Sequence, residues 1–139
     1  MINRSEAFAL LLEACPAARG DWEEHQREWP DEDVPYLGMA VFSRHVVGLM
    51  SQGETDIFPK VFAAVEKLIV EGDEEVRGLA VVGFLEGLQN QASWTEQGSD
   101  TFRQWLRPST NAAWHELSEL WAGKDSLGDV IRDERRREG

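Results

Sequence analysis

Residues 58–88 read FPKVFAAVEKLIVEGDEEVRGLAVVGFLEGL, and their spacing decides the fold. Phe58, Val61, Phe62, Val65, Leu68 and Ile69 share one face at helical period, with Thr55 and Asp56 as start signals. Pro59 falls in or near the first turn, where a missing N–H does little harm. Glu71-Gly72 closes this helix and Asp73 caps the next, which puts Glu74 and Glu75 near its positive N-terminal end. In that second helix Val76, Leu79, Ala80, Val82, Phe84, Leu85 and Leu88 lie on nearly every side, which predicts the central, most buried helix. Gly78, Gly83 and Gly87 would each cost it about 1 kcal/mol relative to Ala. Their retention predicts either close backbone approach by a neighbour or a frayed or kinked helix.

The flanking sequence is helical as well. Phe8, Leu11, Leu12 and Cys15 follow Ser5, a candidate N-cap, and Pro16 interrupts them. Pro16 then opens an acidic segment with Trp22, His25 and Trp29, ended by Pro30. Between Tyr36 and Gln52, Met39, Phe42, Val46, Leu49 and Met50 form one stripe, and Gly53 supplies a stop. After Gly98, Ser99 or Asp100 caps a brief helix with Phe102, Trp105 and Leu106 that Pro108 stops. Ser109 caps another, in which Trp114, Leu117, Leu120 and Trp121 face inward until Gly123. No segment alternates with period two, and no Asn-Gly or Asp-Gly turn joins apolar runs. The expectation is an all-α compact bundle of about seven short helices. Residues 1–125 form its single domain, and 126–139 a mixed-charge helix end or tail bearing Arg135 to Arg137.

The chain has 139 residues, 26 acidic and 14 basic side chains, and a net charge of −12. That length suits one domain with one core. The excess charge lies wholly in residues 1–100, because residues 101–139 carry seven acids and seven bases. Such a surface repels phosphate, which argues against nucleic-acid and membrane binding and favours a basic protein partner. Acidity that only keeps the domain soluble is the plainer alternative. A single cysteine excludes a disulfide scaffold and a Cys-rich zinc site. No apolar run approaches the roughly 20 residues that span a bilayer. Glu13 and Arg19 interrupt the N-terminal apolar stretch, so no signal peptide is expected and the chain reads as cytoplasmic.

Catalytic patterns are missing from the sequence. His25, His45 and His115 are scattered outside any His-Glu-x-x-His pattern, and Cys15 ends an apolar stripe, as a small buried hydrophobe does. There is no nucleophile elbow or phosphate loop. The expectation is therefore no enzyme, no cofactor and no metal site.

Two surfaces stand out as places for a partner. Residues 21–33 hold seven acids, one arginine and two tryptophans, among them Glu23, Glu24, Glu28, Asp31, Glu32 and Asp33. Trp22 and Trp29, seven apart, share a face if one helix holds both, leaving the acids to water. The second surface is Glu86-Gly87-Leu88-Gln89-Asn90-Gln91-Ala92-Ser93-Trp94, where Gln89, Asn90 and Trp94 end the central helix. Buried amides there need partners, at a cost of about 1–3 kcal/mol each if left without. One reading is a helix-to-loop corner plugged by Trp94, the other a recognition corner.

Two resemblances rest on these residues. Asp73-Glu74-Glu75-Val76-Arg77-Gly78-Leu79-Ala80, continuing to Phe84-Leu85 and Leu88, resembles the second helix of a HEAT-type repeat. With 56–71 it makes one good copy, and 36–52 is at most a degenerate one. Because true solenoids need about three or more repeats, a HEAT-like central pair within a compact bundle is expected. From Phe8 to Trp121 the chain also resembles a group of small acidic bacterial domains of unknown function. The likeness runs through Leu11-Leu12-Glu13-Ala14-Cys15-Pro16, then Val61-Phe62-Ala63-Ala64-Val65-Glu66 through Trp94, and Trp114-His115-Glu116-Leu117. That group looks like immunity proteins that neutralise secreted antibacterial toxins. The resemblance implies a cytoplasmic immunity protein that occludes the active site of a basic toxin domain through its acidic surface. A non-catalytic helical adaptor or regulatory protein is the alternative.

Overall fold

In the computed structural model, which describes residues 1–30, 34–93, 95 and 98–119, Asn3 and not Ser5 caps the first helix. The Asn3 side chain accepts the Glu6 N–H at 2.9 Å, and the Glu6 carboxylate accepts the Asn3 N–H at 3.2 Å. This reciprocal pair satisfies two amides that the first turn leaves over. Helix α1 is Arg4–Ala14; a 3-10 turn at Pro16–Ala18 leads into α2, Arg19–Glu28. Helix α3 is Pro35–Ser51, ended at Gly53, whose φ of 75° suits a residue without Cβ. Helix α4 is Phe58–Glu71. Prolines sit at the first or second position of α3 and α4, where no intrahelical N–H is lost.

The central helix, α5, consists of three consecutive segments: α-helical Glu74–Gly78, π-helical Leu79–Leu85 and α-helical Glu86–Ala92. Asp73 caps it as expected, accepting the Val76 N–H at 2.8 Å. A 3-10 segment, Ser99–Trp105, and helix α6 over 108–119 complete the described chain. Among the described residues no strand forms. The one extended pairing is an isolated parallel bridge between Ile2 and Gly72. The protein is an all-α bundle. The tail at 126–139, and Leu120 and Trp121 of the last stripe, lie outside the described residues.

The stripes read from the sequence form the core, with one correction. Val76, Leu79, Ala80, Phe84, Leu85 and Leu88 are buried, but Val82 is 49% exposed. The buried ladder Val76–Ala80–Phe84–Leu88–Ala92 climbs in steps of four. In a pure α-helix such a ladder drifts by roughly 40° per step, at about 100° per residue. The π-helical turns advance less per residue and hold the ladder against the core, while Val82, two residues from both Ala80 and Phe84, lies on the opposite side.

Glycines set how closely α5 meets α3. A Cβ on Gly83 would stand 2.9 Å from Met39 Cβ, and one on Gly87 would stand 2.9 Å from Ser43 Oγ. Gly78 faces the Tyr36 hydroxyl in the same way, at 3.1 Å. The neighbour that the three glycines imply is therefore α3. Behind this contact Phe58, Phe62, Phe84, Phe102 and Trp114 form a chain of aromatic rings with centroids 6.0–6.3 Å apart. It joins α4, α5, the 3-10 segment and α6 in one core.

The start of α6 also differs from expectation. Pro108 opens this helix and does not just end the one before, and Ser109 is not its cap. The backbone amides of Ser109 and Thr110 instead donate to the carboxylate of Glu66 on α4. The Thr110 hydroxyl, fully buried, accepts the Arg107 N–H at 2.7 Å.

Candidate functional site

The acidic segment forms α2, a helix with no buried residue. A helix this polar needs an anchor, and Trp22 supplies it. The half-buried indole stacks on Phe8 with centroids 4.5 Å apart and lies 5.5 Å from the ring of Phe42. It fits there because Gly38 on α3 has no side chain: a Cβ would meet Trp22 at 2.9 Å. Trp29 ends α2 and does not share this burial, being 36% exposed. The two tryptophans thus do different work.

Between α2 and α3 runs an open groove of about 780 Å³. Its α2 wall carries Asp21, Glu24, His25, Glu28 and Trp29. Asp21, Glu24 and Glu28 follow one another at spacings of three and four, so they line one side of the helix. From α3 come apolar Leu37, Ala40, Val41 and Leu49, the small Gly48, and polar Arg44, His45 and Gln52. Three carboxylates face one guanidinium, so the groove is net acidic. The Arg44 Nε donates to the Ala40 carbonyl at 3.4 Å, which keeps this cation against its own helix.

His45 lies at the base of the groove, its side chain 17% exposed, with Nδ1 3.4 Å from Asp21 Oδ2. Its Nε2 is buried and has no hydrogen-bond partner among the described residues. His25 is held differently, with its ring stacked on Trp22 at 5.5 Å. Among the described residues the groove lining contains no Ser, Thr, Cys, Tyr or Lys. The Asp21–His45 pair thus has no side-chain nucleophile beside it among the described residues. No group of His, Cys, Asp and Glu suited to a metal ion occurs among the described residues. Burial pushes the Cys15 thiol above its ordinary pKa, and a hydrogen bond from the Ala18 backbone offsets only part of this. That is how an inert core thiol behaves.

The candidate residues read from the sequence divide accordingly. Glu24 and Glu28 line the groove; Glu23 is exposed and does not. Asp31, Glu32 and Asp33 lie outside the described residues, as does Trp94. Gln89 is buried and acts as a tether: its Nε2 donates to the Trp114 carbonyl at 3.1 Å and to Ser118 Oγ at 3.2 Å. With exposed Asn90 it borders a separate cavity of about 350 Å³ together with Ser93, Ser99 and Ser118. The structure thus does not bring the acidic helix and the Gln89 corner into one site. Sequence reasoning missed the α3 half of the groove. Its signal was present in Ala40, Arg44, Gly48 and Gln52, a small and polar row at steps of four opposite the Met39–Phe42–Val46–Met50 stripe.

A family model described as Domain of unknown function (DUF7674) matches residues 8–122. No curated protein and no solved structure matches the chain. No helix among the described residues is long and apolar enough to cross a membrane.

Proposed function

We propose, on the premise that this chain belongs to the DUF7674 family, that it is an immunity protein which binds and neutralises a basic toxin domain by covering its active site. The observation that carries this reading is α2 itself: an acidic helix with no buried residue, pinned by one indole beside an open groove. Fold stability does not call for so many exposed carboxylates on one helix, since surface charges contribute little to it. A concentrated negative face does speed encounter with a cationic partner and excludes anionic ones. The α4–α5 pair, read as HEAT-like, serves as the rigid support behind that face, and the work is done in the cytoplasm without a cofactor. The adaptor reading shares the surface but not the toxin.

Co-purification from the native host separates the two, because it names the stoichiometric partner. With that partner in hand, Glu23, Glu24, Asp31, Glu32 and Asp33 are reversed to lysine and association is followed at two salt concentrations. Slower association, weaker salt dependence and lost protection in co-expression are expected while the helical signal is kept. Full protection with unchanged kinetics overturns the role of the acidic surface. A stoichiometric partner that is not a toxin overturns the immunity reading.

A further inference from the structure

We infer that the groove between α2 and α3 docks a cationic amphipathic helix of a protein partner, its apolar edge on α3 and its basic edge along α2. This rests on the reading of the acidic side as the contact surface, and adds where the contact is made and what fits it.

Shape comes first. The α3 lining runs from Leu37 to Gln52, which at about 1.5 Å per residue is a trough roughly 22 Å long. The α2 wall, from Asp21 to Trp29, flanks roughly 12 Å of it, so the two-walled stretch accepts about two turns of a third helix, a common mode of peptide recognition. The base is apolar at Val41 and Leu49, and Trp29 and Leu37 stay exposed at the rim, 36% and 47% respectively. A Cβ on Gly48 would meet nothing within 4 Å. The space above this glycine is therefore groove and not packing, unlike the space at Gly83 and Gly87.

Charge then selects the occupant. Asp21, Glu24 and Glu28 form one continuous acidic edge, Arg44 is turned onto the Ala40 carbonyl, and the chain carries −12 overall. A partner helix with lysine or arginine along one edge matches that wall. A nucleic acid or a second copy of this chain is repelled by it.

The probe is a labelled peptide of leucine and lysine patterned at helical spacing. A glutamate-for-lysine version and polylysine of equal length accompany it, and binding is read by fluorescence anisotropy. Parent protein should bind the leucine–lysine peptide, and Gly48→Phe should weaken binding about ten-fold or more with an unchanged melting midpoint. The double variant Glu24→Lys, Glu28→Lys should weaken it likewise, and Glu116→Lys, an exposed change on α6 away from the groove, should leave it within about two-fold. Gly48→Gln repeats the test with a smaller side chain should phenylalanine impair folding. Equal binding by parent and the Gly48 variants overturns the proposal, and so does polylysine binding as tightly as the amphipathic peptide. Self-association of the parent that Gly48→Phe abolishes overturns it too, by making the groove an interface between copies. Should Gly48→Phe block the peptide while the host partner is no toxin, only the immunity reading fails. Should a toxin be captured equally by parent and Gly48→Phe, only the groove proposal fails.

Discussion

Glu66 holds Thr110 across 44 residues of chain, its Oε1 accepting the Thr110 backbone N–H at 2.8 Å. The other carboxylate oxygen accepts the Ser109 N–H at 3.0 Å. Two amides that helix α6 leaves unpaired in its first turn are thus satisfied by a charge from α4, at the end where the helix dipole favours an anion. Burial alone would raise the Glu66 pKa. Hydrogen bonds from the backbone and hydroxyls of Ser109 and Thr110 outweigh it and bring the pKa below the ordinary carboxylate value.

The first prediction follows from that link. Glu66→Ala should destabilise the protein by about 1–2 kcal/mol at neutral pH, as the loss of a helix cap does. Because the folded pKa is the lower one, this stabilisation is complete above the unfolded value and disappears as pH falls through the folded value. Urea unfolding of parent and variant should therefore show a gap that narrows in acid. A gap that widens would refute the assignment.

Glycines in two different settings should respond with opposite sign to one substitution. Gly83→Ala brings a methyl to 2.9 Å from Met39 Cβ and should cost about 1–3 kcal/mol through overpacking, despite alanine's better helix propensity. Gly48→Ala meets open space and should stabilise by up to about 1 kcal/mol. Denaturation midpoints measured side by side decide this. The same sign for both would show that propensity alone governs these helices.

Trp22→Ala should release α2. The indole is the contact that holds this helix to Phe8 and Phe42, and losing a half-buried aromatic costs about 2 kcal/mol. Hydrogen exchange should accelerate in the amides of residues 19–28, with those of α5 remaining slow. Uniform acceleration throughout would mean that α2 unfolds only with the whole molecule.

Phe84→Ala and Leu88→Ala each remove a fully buried side chain of α5 and should cost about 2–5 kcal/mol. Val82→Ala, two positions from Phe84 but half exposed, should cost well under 1 kcal/mol, the size expected of a surface change. Thermal melts of the three variants test the burial pattern of α5 directly. Val82→Ala melting as low as Phe84→Ala would refute that burial pattern.

The helical stripes of α3, α4 and α5 were legible because burial on one side leaves a period in the residue types. The π-helical turns were not: the same residues read as an α-helix that is apolar all round. Val82 reads as core because its surroundings are apolar throughout, yet two residues from both Ala80 and Phe84 it falls on the opposite side of the helix. Glu66 offered no local signal for its role, since a cap that acts across 44 residues has no sequence spacing to betray it. At the groove, the acids of α2 were visible as composition. The row holding Gly48 was visible as a pattern but not as a wall, because a small and polar row on an amphipathic helix looks the same whether it faces water or a neighbouring helix.

The bridge at Ile2 governs how the chain carries a mechanical load. The Ile2 N–H donates to the Glu71 carbonyl and its carbonyl accepts the Asp73 N–H, both at 2.9 Å. Two residues on, Arg4 grips the Glu75 carboxylate through both Nε and Nη2, and this holds the Glu75 pKa low. Tension applied at Met1 is thereby delivered to the corner between α4 and α5, in the middle of the sequence, before α1 to α3 are stretched. Pulled from its first residue, the molecule resists first at its centre, where the Ile2 bridge and the Arg4–Glu75 pair must break before α1 is peeled away. Single-molecule extension with Arg4→Ala should then show the first rupture at lower force.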